Sequence, residues 1–263
     1  MRLTKHHGLG NDFLVLVDGD PRPDAALARA VCDRHRGVGA DGLLHLWAVG
    51  DGVGMILLNA DGSRAEMSGN GIGCLAQAAV MGGMVDGPTV TVTTDAGPRT
   101  VVLEPASEPR THLAAIAMGA TKLGDDEPSW LVDGVARAVT VDVGNPHLVL
   151  LLADPARLSD RGWLVEVGEK ANAATPGGVN VEVITPGIDG EIRMDVYERG
   201  VGLTDACGTG AVASAVAARR WALADDDVTV RMVGGPVRVR LDGGEPTLTT
   251  SITHVADVEF PWP

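Results

Sequence analysis

Two short stretches of the chain pair a proton-bearing side chain with a Gly-x-Gly turn and an alanine-rich apolar run. They are EMSGNGIGC at 66–74, with Ser68, and DACGTGA at 205–211, with Cys207. A Gly-x-Gly just before an apolar helix leaves the first backbone N–H groups pointing outward. Such a helix N-terminus binds a carboxylate and stabilises negative charge beside it. The glycines let the backbone approach a ligand closely. Cys207 precedes its helix directly, which is expected to lower the thiol below its free value of about 8.5 and make it a reactive thiolate or a ready proton donor. For either motif alone, tight helix packing is an equally good reading; the pair, with ERGVGLT leading into DACGTGA, favours a site. Two such termini acting on one amino acid would hold its α-carboxylate and favour the charge that spreads onto it when Cα loses a proton. With an acid–base group on each side of Cα, the chemistry is that of a cofactor-independent racemase or epimerase.

The elements that must position these groups are themselves repeated. LGNDFLVL at 9–16 matches VGNPHLVL at 143–150, NADG at 59–62 lines up with YERG at 197–200, and VTVTTDAGP at 90–98 matches VTVRMVGGP at 228–236. Each half opens on a β-rich run, Phe13–Val17 or Leu148–Leu152, followed later by a second strand, 54–59 or 191–197. A Gly-rich turn then leads into a helix, 72–83 or 210–224, and an alternating strand closes on a Gly-Pro turn. Further helices are expected near 24–35 and 154–173. The fold class is α+β: two pseudo-symmetric α/β halves, residues 1–112 and 113–249, with 250–263 returning to the first as a strand. A cleft between the halves is the expected active site, with equivalent motifs facing each other across it.

Composition narrows the partners. The 263 residues carry a net charge of −14 with no Lys/Arg cluster to offset it, which argues against nucleic acid and anionic membrane. Three scattered cysteines suit a reducing cytoplasm rather than a disulfide framework. The opening MRLTKHHGLGNDF lacks an apolar signal core, and no run approaches transmembrane length. The histidines show no metal-ligand spacing, so neither metal nor cofactor is expected.

The motifs HGLGNDF (7–13), NADGSRAEMSGNG (59–71), GNPH (144–147), GVNVE (178–182) and YERGVGLTDACGTGA (197–211) resemble the diaminopimelate epimerase family along nearly the whole chain. The resemblance implies two pseudo-symmetric α/β halves, a homodimer, and a place in bacterial lysine and cell-wall precursor synthesis. The implied reaction interconverts LL- and meso-diaminopimelate by a two-base mechanism without pyridoxal phosphate. Carried over by position, Cys207 is one catalytic cysteine, and His147 and Glu198 tune the catalytic thiols. Gly69, Asn70, Gly208 and Thr209 donate to the α-carboxylate. Asn11, Asn59, Asn145, Asn180, Glu198 and Arg199 hold the substrate. These types suit the task, since a guanidinium grips a carboxylate bidentately and Asn amides serve either charged end. Asp12 and Asp61 read as turn or backbone-fixing residues.

Three positions depart from the pattern. Ser68 stands where the family has its other catalytic cysteine, Gly73 replaces a common arginine, and Gly42 occupies a position where some members carry a substrate-contacting glutamine. A hydroxyl is a far weaker acid than a thiol, so Ser68 is expected to act slowly or through water. The alternatives are a racemase, epimerase or dehydratase acting on another amino acid, or a substrate-binding variant with impaired catalysis. Cys32 and Cys74 read as buried small hydrophobes.

Overall fold

The computed structural model describes residues 1–17, 22–65, 68–95, 97–126 and 132–262. Glu66 and Met67 of the first motif, and Ala96 and Pro263 of the expected strands, lie outside them. The chain divides into unit 1, Met1–Ala117 with Thr249–Pro263, and unit 2, Met118–Leu248.

Unit 1 runs β1 (Arg2–Gly8), β2 (Asn11–Val17), α1 (Ala25–Cys32), β3 (Gly42–Val49), β4 (Gly52–Asn59), β5 (Arg64–Ala65), α2 (Gly69–Met81), β6 (Thr89–Thr94), β7 (Gly97–Pro105) and β8 (Thr111–Ala117). Unit 2 contributes β9 (Lys122–Asp126), β10 (Val135–Asp142), β11 (Pro146–Leu152), a 3-10 turn (Pro155–Ser159), α3 (Arg161–Ala174), β12 (Asn180–Pro186), β13 (Ile192–Glu198), β14 (Gly202–Thr204), α4 (Gly208–Arg220), β15 (Asp227–Met232) and β16 (Gly235–Arg240). The chain then returns to unit 1 in β17 (Thr247–Glu259).

Unit 1 is a closed barrel. β1 pairs antiparallel with β2, β2 parallel with β3, β3 antiparallel with β4 and β4 parallel with β6. Antiparallel pairs then lead through β7 to β8, and β17 pairs with both β8 and β1 to complete the ring. The first unit runs to Ala117 rather than ending at residue 112, because β8 pairs with β7 from His112 to Ile116. The expected return of the C-terminal segment as a strand is β17.

Inside this ring lies α2. It has no charged side chain and is buried from Gly69 through Ala79, as a helix apolar on every face must be. Gly and Ala at so many positions let the strands close around it. In unit 2 the corresponding helix α4 packs against β10, β11, β12, β13, β15 and β16. A second helix covers the outer face of each sheet. α1 packs Leu27, Ala28 and Val31 onto Leu14, Leu16 and Leu43, and α3 packs Leu164 and Val167 onto Leu148, Leu150, Val181 and Val183.

The ladders correct one repeat alignment. Phe13 pairs with Gly42 and Leu43 with Leu58 in unit 1, while His147 pairs with Asn180 and Val181 with Tyr197 in unit 2. Leu58 thus occupies the place of Tyr197, and Asn59 that of Glu198. The motif alignment, which set Asn59 against Tyr197, is one residue out. By the same registers Phe13 stands where unit 2 has His147, and Leu44 where unit 2 has Glu182.

Candidate active site

In unit 2 the site gathers at the tip of α4. Cys207 is the N-cap in extended backbone, its sulfur accepting from Gly210 N–H at 3.4 Å. The first intrahelical bond runs from Ala211 N–H to Cys207 O, so the N–H groups of Gly208 and Thr209 precede the helical ladder. Cys207 N–H points at Met232 Sδ, 3.3 Å away, and the Thr209 hydroxyl lies 3.5 Å from the sulfur. Asn145 Nδ2 donates to Thr209 Oγ1 at 3.4 Å, and Asn145 Oδ1 lies 2.9 Å from His147 Nε2. The other ring nitrogen of His147 is 2.7 Å from Glu182 Oε1. Four of the expected residues, Asn145, His147, Cys207 and Thr209, therefore belong to one hydrogen-bonded chain. Glu198, at the end of β13, accepts from Thr204 Oγ1 at 2.5 Å.

The electrostatics of this tip overturn one expectation. The Cys207 thiol is not lowered by its helix; it is raised well above its ordinary value. Burial is the largest cause, and the Glu198 and Glu182 carboxylates add to it, while Thr209 and Gly210 N–H only partly oppose them. Desolvation and like charge outweigh two hydrogen bonds here. Glu198 is also raised, by burial first, against the opposing hydrogen bonds of Thr204 and Cys207. The resting cysteine is a thiol.

Asn180 and Arg199 adjoin this chain through backbone. Asn180 donates to Pro146 O at 3.2 Å and accepts from Arg199 N–H at 2.9 Å, so its amide fixes the start of the β13–β14 turn. The Arg199 guanidinium reaches Gly177 O at 3.3 Å.

Unit 1 presents the tip of α2. Ser68 is the N-cap, its hydroxyl accepting from Gly71 N–H at 3.0 Å, and Gly69 and Asn70 form the first turn. Asn70 Nδ2 donates to Asn11 Oδ1 at 3.4 Å, joining the positions that Asn145 and Thr209 join in unit 2 with donor and acceptor exchanged. Asn11 Nδ2 is held by Asp41 Oδ2 at 2.8 Å. Asp41 shares Arg34 with Asp12, and Lys5 Nζ lies 2.9 Å from Asp12. Burial alone would raise Asp12, yet Arg34 and Lys5 hold it below the usual carboxylate range. The network fixes Asn11 in place. Asn59 donates to Ser63 Oγ at 3.0 Å, and Asp61 accepts from Ser63 N–H at 2.7 Å, so both shape the β4–β5 turn.

Both glycine departures have packing reasons. A Cβ on Gly73 would meet Ile252 Cδ1 at 2.8 Å, and one on Gly42 would meet Leu58 O at 2.9 Å and the Phe13 ring at 3.3 Å. Cys32 and Cys74 are buried free thiols, and burial pushes Cys32 up to about 12. Sequence reading missed Glu182 and the Asp41–Arg34 link. Glu182 closes the GVNVE motif, and its signal was an acidic residue in the apolar run NVEVI, where an inward-facing charge needs a partner.

This paired barrel-and-helix plan is shared by solved structures of low sequence identity. A hydroxyproline epimerase from Agrobacterium vitis superposes with a TM-score of 0.72 at 18% identity, covering 98% of this chain and 90% of that one. A PhzF-family phenazine biosynthesis protein from Bacillus anthracis gives 0.69 at 14%, covering 100% and 99%. These define the fold. Sequence defines the family: the diaminopimelate epimerase model matches residues 3–123 and 139–255. The diaminopimelate epimerase of Mycobacterium ulcerans is 40% identical over 99% of this chain and 97% of its own. That of Rhodococcus erythropolis is 39% identical over 98% and 95%. The chain belongs to the diaminopimelate epimerase family.

Proposed function

We propose that this protein interconverts LL- and meso-diaminopimelate by taking the Cα proton from one face and returning one to the other, without a cofactor. What carries the reading is the family match over nearly the whole chain, joined to Cys207 as the N-cap of α4. The first-turn N–H donors of α4, Gly208 and Thr209, receive the α-carboxylate as it gains charge, and Gly69 and Asn70 offer the same kind of donor at the tip of α2. Asn11, Asn59, Asn145, Asn180, Glu198 and Arg199 hold the rest of the substrate or the turns that meet it. Cys207 makes one proton transfer. Ser68 makes the other, directly or through water, and its weak acidity limits the rate. Because Cys207 rests as a thiol, the substrate's arrival must first displace its proton or take it. In this reading the enzyme works as a cytoplasmic homodimer. Its free cysteines agree with a reducing compartment, and among the described residues no helix is long and apolar enough to cross a membrane.

Incubation with LL-diaminopimelate in deuterated water tests this. The expected product is meso-diaminopimelate carrying deuterium at Cα. Unlabelled, unconverted substrate would reject the assignment, and ammonia or a keto acid released from a β-hydroxy amino acid would replace it with a lyase.

A further inference from the structure

Glu182 is a buried ionisable group that the proposed reaction leaves unused. It projects inward from β12, while Val181 and Val183 on either side pack outward against Leu158, Leu164 and Val167. Its side chain and that of His147 are both fully buried. At 2.7 Å, His147 Nδ1 and Glu182 Oε1 hold a proton between them. Glu182 Oε2 has no hydrogen-bond partner among the described residues, an expensive state for a buried oxygen. A Cβ on Gly210 would lie 2.6 Å from Glu182 Oε1 and 3.2 Å from Cys207 Sγ. The carboxylate therefore reaches the first turn of α4 beside the sulfur, and glycine at 210 leaves it room. Titratable groups face Glu182 from three elements: His147 on β11, Glu198 on β13 and Cys207 at the α4 tip. α3 and the 3-10 turn meet β12 through its other, apolar face.

We propose that Glu182 is a positioning residue for Cys207: seated beneath Gly210 and tied to His147, it holds the resting cysteine in its protonated form. A thiolate there would share a buried space with a carboxylate, and like charges in low dielectric oppose each other strongly. The proton between Glu182 and His147 is the counterweight that lets Cys207 ionise during turnover. Unit 1 has Leu44 in place of Glu182 and Phe13 in place of His147, so Ser68 has no such control. The inference rests on Cys207 being an acid–base group of the proposed reaction, but its test reads the sulfur without substrate.

The test follows Cys207 thiolate by ultraviolet absorbance across a pH series in the whole protein, with Cys207→Ala as the blank. Glu182→Gln keeps the shape and the contact to His147 while removing the charge. Its midpoint should fall by about one pH unit, giving about tenfold more thiolate at a fixed pH below the midpoint. His147→Gln removes the shared proton and leaves the carboxylate, so its midpoint should rise. A purely structural role would lower unfolding stability in Glu182→Gln and leave the midpoint unmoved, which overturns the proposal. Should Glu182→Gln not fold, an unchanged or lowered midpoint in His147→Gln does the same. Failure to turn over diaminopimelate with both shifts present counts against the substrate assignment alone.

Discussion

The tips of α2 and α4 are the same construction with different undersides. Each has an N-cap whose side chain accepts from the third N–H of its helix, and each has an Asn, Asn11 at the start of β2 or Asn145 just before β11, linked to the first turn. Below the α4 tip lie His147 and Glu182, with Glu198 at the strand end; the matching places below the α2 tip are taken by Phe13, Leu44 and Asn59. One copy surrounds a thiol with three groups that gain or lose protons. In the other, the matching places hold a ring, an alkyl chain and an amide. The doubled frame fixes where a proton is handled, and a handful of inward-facing positions decide whether it can be exchanged near neutrality.

The difference predicts unequal responses to matched changes. Cys207→Ala should abolish Cα deuterium exchange, a loss of at least about 10³-fold for a proton-transferring group. Ser68→Cys should instead raise exchange by about tenfold, since a thiol replaces a poor acid. Equal rates in both variants and the parent would remove the two tips from the chemistry.

Unit 1 buries ionisable groups elsewhere, His6 among them. His6 Nδ1 lies 2.7 Å from Gln77 Oε1 on α2, and burial pushes His6 down to about 4. Neutral imidazole is therefore the native form, while the unfolded chain takes up a proton below about 6.5. Between these values the unfolded state binds more protons, so stability is full above about 6.5 and falls as pH drops toward about 4. The loss should reach on the order of 3 kcal/mol, read by denaturant unfolding across the pH series. His6→Gln should flatten that window; an unchanged slope would show that other groups cause it.

The smallest effect distinguishes the two glycines at the third helical position. Gly210→Ala sets a methyl 2.6 Å from Glu182 Oε1 and should cost about 1–3 kcal/mol by overpacking. Gly71→Ala meets Ser68 Cβ at 3.1 Å, Ser68 Oγ at 3.2 Å and the Phe13 ring at 3.6 Å, and gains helix propensity. Its stability should stay within about 1 kcal/mol of the parent. Equal costs would mean that the undersides of the tips are not as different as their side chains.

Much of this plan was legible in the sequence because repeated motifs mark both the frame and the tips. Ser68 and Cys207 were readable as helix-capping positions from the Gly-x-Gly that follows each. The enclosure was not. A helix as apolar as α2 signals burial, but only pairings such as β1 with β17, distant in sequence, reveal that strands encircle it. Burial at the α4 tip in unit 2 is likewise why the Cys207 expectation failed. A helix end lowers a thiol when solvent is near, whereas here the walls exclude water and bring Glu182 and Glu198 close. The one-residue slip between Asn59 and Tyr197 arose because short motifs constrain register loosely, whereas a ladder fixes it.

β17 imposes an order on synthesis. It lies beyond unit 2 in the chain yet supplies the stave between β1 and β8 of unit 1. The first unit made is thus the last to be sealed, and β1 and β8 wait as open edges while unit 2 emerges from the ribosome.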